Sequence, residues 1–301
     1  MDSVWTLLDH LTANLRAQLP WVAGLAVLFT ILSLFQSQAC TPSRQWWKSR
    51  DLLTDAQYFF LMPIIGPYLK IVSLVLIVAA MRGVMSETQV DDYISKGQGP
   101  ISQLPFWAQI SFYVIGTDLL LYWTHRTFHK AVLWPFHAVH HSSLDVDWTT
   151  TYRSHPINQM LGSGLVSAIM IVAGVPPAIM IALVPFDIVS AAFVHANLNW
   201  SLGPMKYIVA TPVFHRWHHT GPGEGGECNF ASTFSIWDYL FGTFYMPKGQ
   251  LPQDFGVDDP SFPHDWLGQM IVPFKLFMDR VSSPAAPAAT TPAIDPVNPP
   301  G

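Results

Sequence analysis

The sequence predicts an all-α protein embedded in a membrane, with spanning helices as a stalk and a histidine-rich helical cap on the cytoplasmic face. Three observations carry this reading. Half of the 301 residues are apolar and only 12% are charged, against about 25% charge in an ordinary soluble domain. The apolar residues gather into four long stretches. Ten of the twelve histidines fall between His125 and His219, where many recur at helical spacing.

The stretches are read in chain order. Leu19 to Phe35 is close to the roughly 17–25 residues that a spanning helix needs. Tyr58 to Met81 is long enough, although Pro63, Pro67 and Lys70 interrupt its first half. Leu104 to Trp123 is continuous except for Asp118. Met160 to Val194 is too long for one helix and is split by Pro176–Pro177, so it reads as a helical hairpin. Trp21, Tyr58, Phe59, Phe106, Trp107, Tyr122 and Trp123 crowd the span ends, as interfacial aromatic belts do.

Loop charge sets the orientation. The 36–57 loop holds Arg44, Lys48 and Arg50, and the 82–103 loop holds Arg82 and Lys96. Arg126, Lys130 and Arg153 add to the first side, which the positive-inside rule makes cytoplasmic. No basic start followed by an apolar run is present among the first twenty residues, so the first span serves as its own address. Residues 1–280 read as one domain with its histidine core at 118–245, followed by a Pro/Ala-rich tail at 281–301 that cannot build a core. Cys40 and Cys228 imply no disulfide framework. A net charge of −5 without a basic cluster excludes nucleic acid as the partner.

The histidines form HRTFH (His125, His129), HAVHH (His137, His140, His141), lone His155 and His195, and HRWHH (His215, His218, His219). Offsets of three and four place side chains on one helical face. At this histidine frequency a single HxxHH has odds of about 2% by chance, and two are rarer still. The spans bring every cluster out on the same membrane face. Nine or ten imidazoles exceed what one ion can use, so two metal ions are implied. Imidazole suits Fe, Zn, Cu and Ni alike. Two other classes fit less well: a metal transporter needs ligands along a path within the spans, and a scaffold would keep the cage without turnover.

The order HxxxH, HxxHH, lone His, HxxHH resembles the fatty acid hydroxylase and sterol desaturase superfamily of membrane di-iron oxygenases. The likeness runs from about Asp118 to Tyr245 and includes DLLLYWTHRTFH, HAVHHSS, RSHP, HANLNW, TPVFHRWHH and NFASTFSIWDYLFGTF. It implies two Fe ions held by His125, His129, His137, His140, His141, His195, His215, His218 and His219, with His155 as a further candidate. Hydroxylases of this kind can carry a second histidine where this chain has Asn199, leaving that coordination position to Asn199, His155 or water. The resemblance also implies O2 as co-substrate and hydroxylation or desaturation of a lipid such as a fatty acyl chain or sterol. No haem, flavin or ferredoxin motif is present, so a separate electron-donor protein is expected.

Two acids complete the candidate site. Asp118 precedes Tyr122, His125 and His129 at offsets of 4, 7 and 11 and is read as an acceptor that orients a ligand histidine. Asp187, eight residues before His195, is read in the same way. Trp148 and Trp217 are candidates for walling the lipid path. Gly221 to Glu227 (GPGEGGE) lacks a GK[ST] ending and reads as a loop, not a phosphate cradle.

Overall fold

The computed structural model describes residues 2–35, 40, 45–83, 85–96, 99–130, 132–221 and 224–282. The expected tail at 281–301 therefore lies, beyond Ser282, outside the described residues. The order of helices is α1 (Asp2–Leu34), α2 (Leu52–Arg82), α3 (Glu87–Lys96), α4 (Phe106–Phe128), α5 (Trp134–His141), α6 (Pro156–Gln159), α7 (Leu165–Val172), α8 (Pro177–His195), α9 (Pro212–His218), α10 (Ile236–Phe241) and α11 (Trp266–Ser282). Among the described residues the only strand-like pairing is one isolated bridge between Thr220 and Phe255.

Among the described residues, three helical segments are long and apolar enough to cross a membrane: Arg16–Leu34, Leu52–Met81 and Pro177–His195. Only 11% of the first two and 17% of the third is buried, so their apolar side chains face outward, as they do where lipid is the solvent. Leu34, Tyr68, Leu76 and Ile181 are each more than 60% exposed or close to it. α2 runs unbroken through Pro63 and Pro67, which a spanning helix tolerates when neighbouring groups satisfy the freed carbonyls. The helix that carries the expected third span, α4, is 23 residues long but is not one of those three. The hairpin divides at the expected prolines: α7 ends at Val172, Gly174 takes φ 94°, and α8 starts at Pro177.

Between α6 and α7 the chain widens into a π turn, Met160–Gly164. Such turns free a carbonyl from the helical ladder. Here Ser73 Oγ on α2 donates to Met160 O at 2.9 Å. A Cβ on Gly164 would stand 2.6 Å from that hydroxyl, so glycine allows the two helices to meet there.

The N-terminal end of α2 anchors the 142–153 segment. Arg153 is fully buried and pairs with Asp55 at 2.7 Å and Asp51 at 3.3 Å. Asp51 Oδ2 also accepts from the backbone N–H of Leu144 and Asp145. Arg153, counted above among the orienting positive charges, thus spends its charge inside the protein. Asp55→Ala would leave a buried guanidinium short of its nearest partner, and a loss of about 3–5 kcal/mol in thermal or denaturant unfolding in detergent is expected.

Trp148 and Trp217 do not wall a lipid path. Trp148 packs in a core with Phe29, Phe59 and Trp46, and Trp217 lies against Tyr245.

Candidate metal centre

The histidines converge from four elements that each stop at the site. α4 ends over His125 and His129, and α8 ends at His195. α5 and α9 are short helices whose first turn holds a proline, Pro135 and Pro212, which presets the helical φ where no N–H partner is needed. Thr211 closes the start of α9 by accepting from Phe214 N–H at 3.1 Å.

Nine imidazoles fall into two groups: His125, His129, His137, His141 and His218 in one, and His140, His195, His215 and His219 in the other. Within each group one nitrogen per residue lies within 4.8 Å of all the others. Each HxxHH motif serves both groups. Residues four apart lie about 40° apart around a helix, while the residue three along is turned about 60° the other way. His137 and His141 therefore face the first group and His140 the second; on α9, His215 and His219 face the second and His218 the first.

The inward nitrogens are close. His125 Nε2 and His137 Nε2 are 2.9 Å apart, His141 Nε2 and His218 Nε2 3.1 Å, His195 Nε2 and His215 Nε2 3.1 Å, and His140 Nε2 and His195 Nε2 3.3 Å. Their outer nitrogens decide what these contacts are. His125 Nδ1 donates to Phe230 O, His137 Nδ1 to Asn158 Oδ1, His140 Nδ1 to Arg153 O, His195 Nδ1 to Ala191 O and His218 Nδ1 to Cys228 O, at 2.6–3.0 Å. A carbonyl can only accept, so the proton sits on Nδ1 and Nε2 carries a lone pair. Two lone pairs facing at 2.9 Å repel unless a cation lies between them. With metal–nitrogen bonds of about 2.1 Å, adjacent ligands at right angles stand ~3.0 Å apart, which matches the observed spacings. Burial and mutual repulsion hold His129, His137, His141, His215, His218 and His219 neutral, well below the usual histidine range, and burial pushes His140 down to about 4. Neutral buried imidazoles with outward N–H groups anchored are the donor set that binds a transition metal.

His155 joins neither group. Its Nδ1 accepts from Ile157 N–H at 3.1 Å and its Nε2 donates to Met270 O at 3.3 Å. Both nitrogens are used, so it caps α6 and ties it to α11. Asn199 is also displaced from the expected position. α8 stops at His195, so an offset of four no longer returns the chain to the same face, and Asn199 is not among the residues lining the cavity described below.

The two acids hold structure, not histidines. Asp118 accepts from Thr233 N–H at 2.8 Å, Phe234 N–H at 2.9 Å and Trp237 Nε1–H at 3.0 Å. Asp187 accepts from Tyr113 O–H at 3.4 Å and joins α8 to α4, while His195 is oriented by its own helix. Asp118→Asn should therefore cost about 1–3 kcal/mol of stability for an unsatisfied donor and leave the metal content unchanged, measured by unfolding and by elemental analysis of the same sample.

The groups that orient the ligands were not legible one by one. Asp238 accepts from Phe230 and Ala231 N–H and from Thr243 Oγ1–H, and so fixes the carbonyl that holds His125. Burial pushes its carboxyl up to about 7 against those three donors. Asn229, at φ 58°, donates to Phe214 O and Tyr245 O and accepts from Tyr245 N–H. It sits between Cys228 and Phe230, the residues whose carbonyls hold His218 and His125. The loop around the NFAST run is thus a clamp for His125 and His218 of the first group.

A cavity of about 250 Å³ lies over both groups. Its lining includes His125 and His137 of the first group and His140, His195 and His215 of the second. Leu121 and Phe128 of α4, Gly162 of the π turn, and Ala191 and Val194 of α8 supply apolar wall.

The fold and site define a class: a helical protein with candidate membrane spans that presents two adjoining polyhistidine groups, each able to hold a metal ion, to one cavity. Residues 110–243 match the family model described as fatty acid hydroxylase, and over this stretch the chain is similar to that family. The chain is 30% identical over 174 residues to the ornithine lipid hydroxylase OlsE of Rhizobium tropici, covering 58% of this chain and 52% of that protein. It is 33% identical over 135 residues to alkylglycerol monooxygenase of Xenopus tropicalis, covering 44% of this chain and 30% of that one. It is 30% identical over 152 residues to methylsterol monooxygenase 2-2 of Arabidopsis thaliana, covering 46% and 55%. The matches thus span about half or less of each relative. No solved structure matches.

Proposed function

We propose that this protein is a membrane di-iron oxygenase that hydroxylates a lipid with O2 and electrons from a separate donor protein. The observation that carries the reading is the single cavity lined by histidines of both groups and walled by the ends of apolar helices. Hydroxylation is preferred to desaturation because the relatives above are named as hydroxylases and monooxygenases. A metal transporter would spread its ligands along a path, whereas these nine histidines gather in two adjoining groups.

Nine imidazoles would hold the two irons: five nitrogens for one and four for the other. When bound, the iron pair supplies, with O2 and reducing equivalents, the power to oxidise an unactivated C–H bond. The chain's own contribution is placement. Carbonyls and Asn158 hold the N–H groups of His125, His137, His140, His195 and His218 outward, so those five lone pairs stay directed inward through turnover. Leu121, Phe128 and Val194 exclude water from the cavity and accept a hydrocarbon segment. The apolar faces of α2 and α8 support a multi-pass reading, in which the lipid reaches the site from the bilayer without crossing water. The Lys and Arg of the 36–57 loop, with Arg126 and Lys130, support a site on the cytoplasmic side of a bacterial inner membrane or endoplasmic reticulum.

The test is lipid mass spectrometry of membranes containing the protein, supplied with iron, a reductant and 18O2. One 18O atom should appear in a lipid, and should be absent with a zinc-loaded protein, since zinc has no redox chemistry. Iron-loaded protein with two metals per chain and no oxygen-dependent lipid change would overturn the reading.

A further inference from the structure

Two polar side chains in the cavity are left unused by the rest of the molecule. Gln159 ends α6 where the chain enters the π turn, and Ser232 sits in the loop clamped by Asp118 and Asp238. Both line the cavity and both are half-buried. Neither side chain hydrogen-bonds to any described residue. Their polar neighbours on the wall are engaged: Thr124 Oγ1 donates to Leu121 O, Thr151 Oγ1 to Trp148 O and Ser163 Oγ to Gln159 O.

The place of Gln159 is built into the packing. A Cβ on Gly66 of α2 would stand 3.3 Å from Gln159 Oε1, so a glycine leaves room for the amide beside the spanning helix. A purely hydrocarbon segment filling this cavity would strip water from that amide and from the Ser232 hydroxyl and return nothing, which is costly for each group. Sites with unpaired polar groups reject analogues that lack the matching partner. The cavity, at about 250 Å³, is also smaller than the roughly 300–1,000 Å³ of pockets that enclose a drug-sized ligand. Only a short stretch of a lipid lies inside it. The hydrogen-bonding group and the carbon presented to the metals must share that stretch.

We propose that Gln159 and Ser232 are a polar recognition pair, and that the substrate is a lipid bearing a hydroxyl, ester or amide within a few bonds of the carbon that is oxidised. Oxidation then falls beside the polar linkage and not in the middle of a chain. The word substrate rests on the oxygenase reading; the binding preference does not.

The experiment is photo-crosslinking of the purified, metal-loaded protein in detergent with a C16 primary amide carrying a diazirine near the amide, mapped by peptide mass spectrometry. Crosslinks should fall in 121–128 or 156–172. Hexadecanamide and 1-hexadecanol should compete at least about tenfold better than hexadecane, the factor that one or two hydrogen bonds supply. Gln159→Leu should reduce that preference about tenfold, and Ser232→Ala, which removes a single oxygen, should reduce it by several-fold, with metal content unchanged in both. Equal competition by hexadecane, or a preference that survives both substitutions, would overturn the assignment. Turnover is scored separately: protein that shows the preference but incorporates no 18O would remove the oxygenase reading and leave the recognition pair standing.

Discussion

Replacing His219 by alanine is expected to abolish lipid oxidation while the protein remains in the membrane. His219 is fully buried, its Nε2 lies 3.3 Å from His215 Nε2, and it belongs to the group with four nitrogens. It lies outside the three helices long enough to span, so insertion does not depend on it. Removing it leaves three ligands and an open face, while the five-nitrogen group is untouched. Metal content should fall from about two toward one per chain, and turnover should fall by at least about 100-fold, since even the partners behind a ligand are worth 10–100-fold. His141→Ala, in the other group, should also abolish turnover, but four nitrogens survive there and metal loss should be smaller. His155→Ala should keep both metals, because neither of its nitrogens faces either group. Elemental analysis beside an oxidation assay reads all three. Full activity after His219→Ala, or two metals lost after His155→Ala, would sink the assignment of ligands to two groups.

The parts of this site that depend on local spacing were legible in the sequence. HxxHH is a helical pattern, and α5 and α9 are helices for the reasons that put histidines on a common face. Local spacing also contains the division between groups, since the i+3 residue turns away from the i, i+4 pair, although it takes two such helices packed together to show where each face points. Relations across long separations were not legible. Asp118 stands in register with His125 and His129 on α4, and that stripe suggested a histidine partner. Its three donors lie 115–119 residues away, and a loop that must be clamped competes for the carboxylate. The resemblance of the RSHP run put His155 forward as a further ligand, yet a histidine before a proline at a helix start can cap it instead, and that local bond consumed the nitrogen. The carbonyls of Arg153, Ala191, Cys228 and Phe230 carry no sequence signal, because every residue has one. Asn158 had only the weak sign of an amide entering an apolar run. Pro63 and Pro67 suggested an interruption in α2 that the spanning helix absorbs.

Asn229→Ala is expected to loosen the metal site without touching a ligand. The side chain of Asn229 makes three hydrogen bonds to backbone groups of Phe214 and Tyr245, at 2.7–2.8 Å. It thereby joins the loop at 228–231 to α9 on one side and to the 243–246 segment on the other. The residue is fully buried, so the freed carbonyls and N–H find no water, and each costs about 1–3 kcal/mol. Alanine is also poorly suited to φ 58°, a region that asparagine and glycine visit more readily. The consequence reaches the metals because Cys228 O and Phe230 O hold His218 and His125, both in the five-nitrogen group. Once those carbonyls shift, two imidazoles lose their fixed tautomer and direction, and metal affinity should fall about 10–100-fold. Asn229→Gly relieves the backbone strain but restores none of the side-chain bonds, so it should recover part of the stability and little of the affinity. Asn229→Asp keeps the acceptor for Tyr245 N–H but turns a carboxylate oxygen toward two carbonyls, and should be no better than alanine. Competition with a metal chelator at graded concentrations separates affinity from unfolding. If all three variants lose stability yet hold both metals as tightly as the parent protein, the clamp is scaffolding alone and the ligands are oriented by something else.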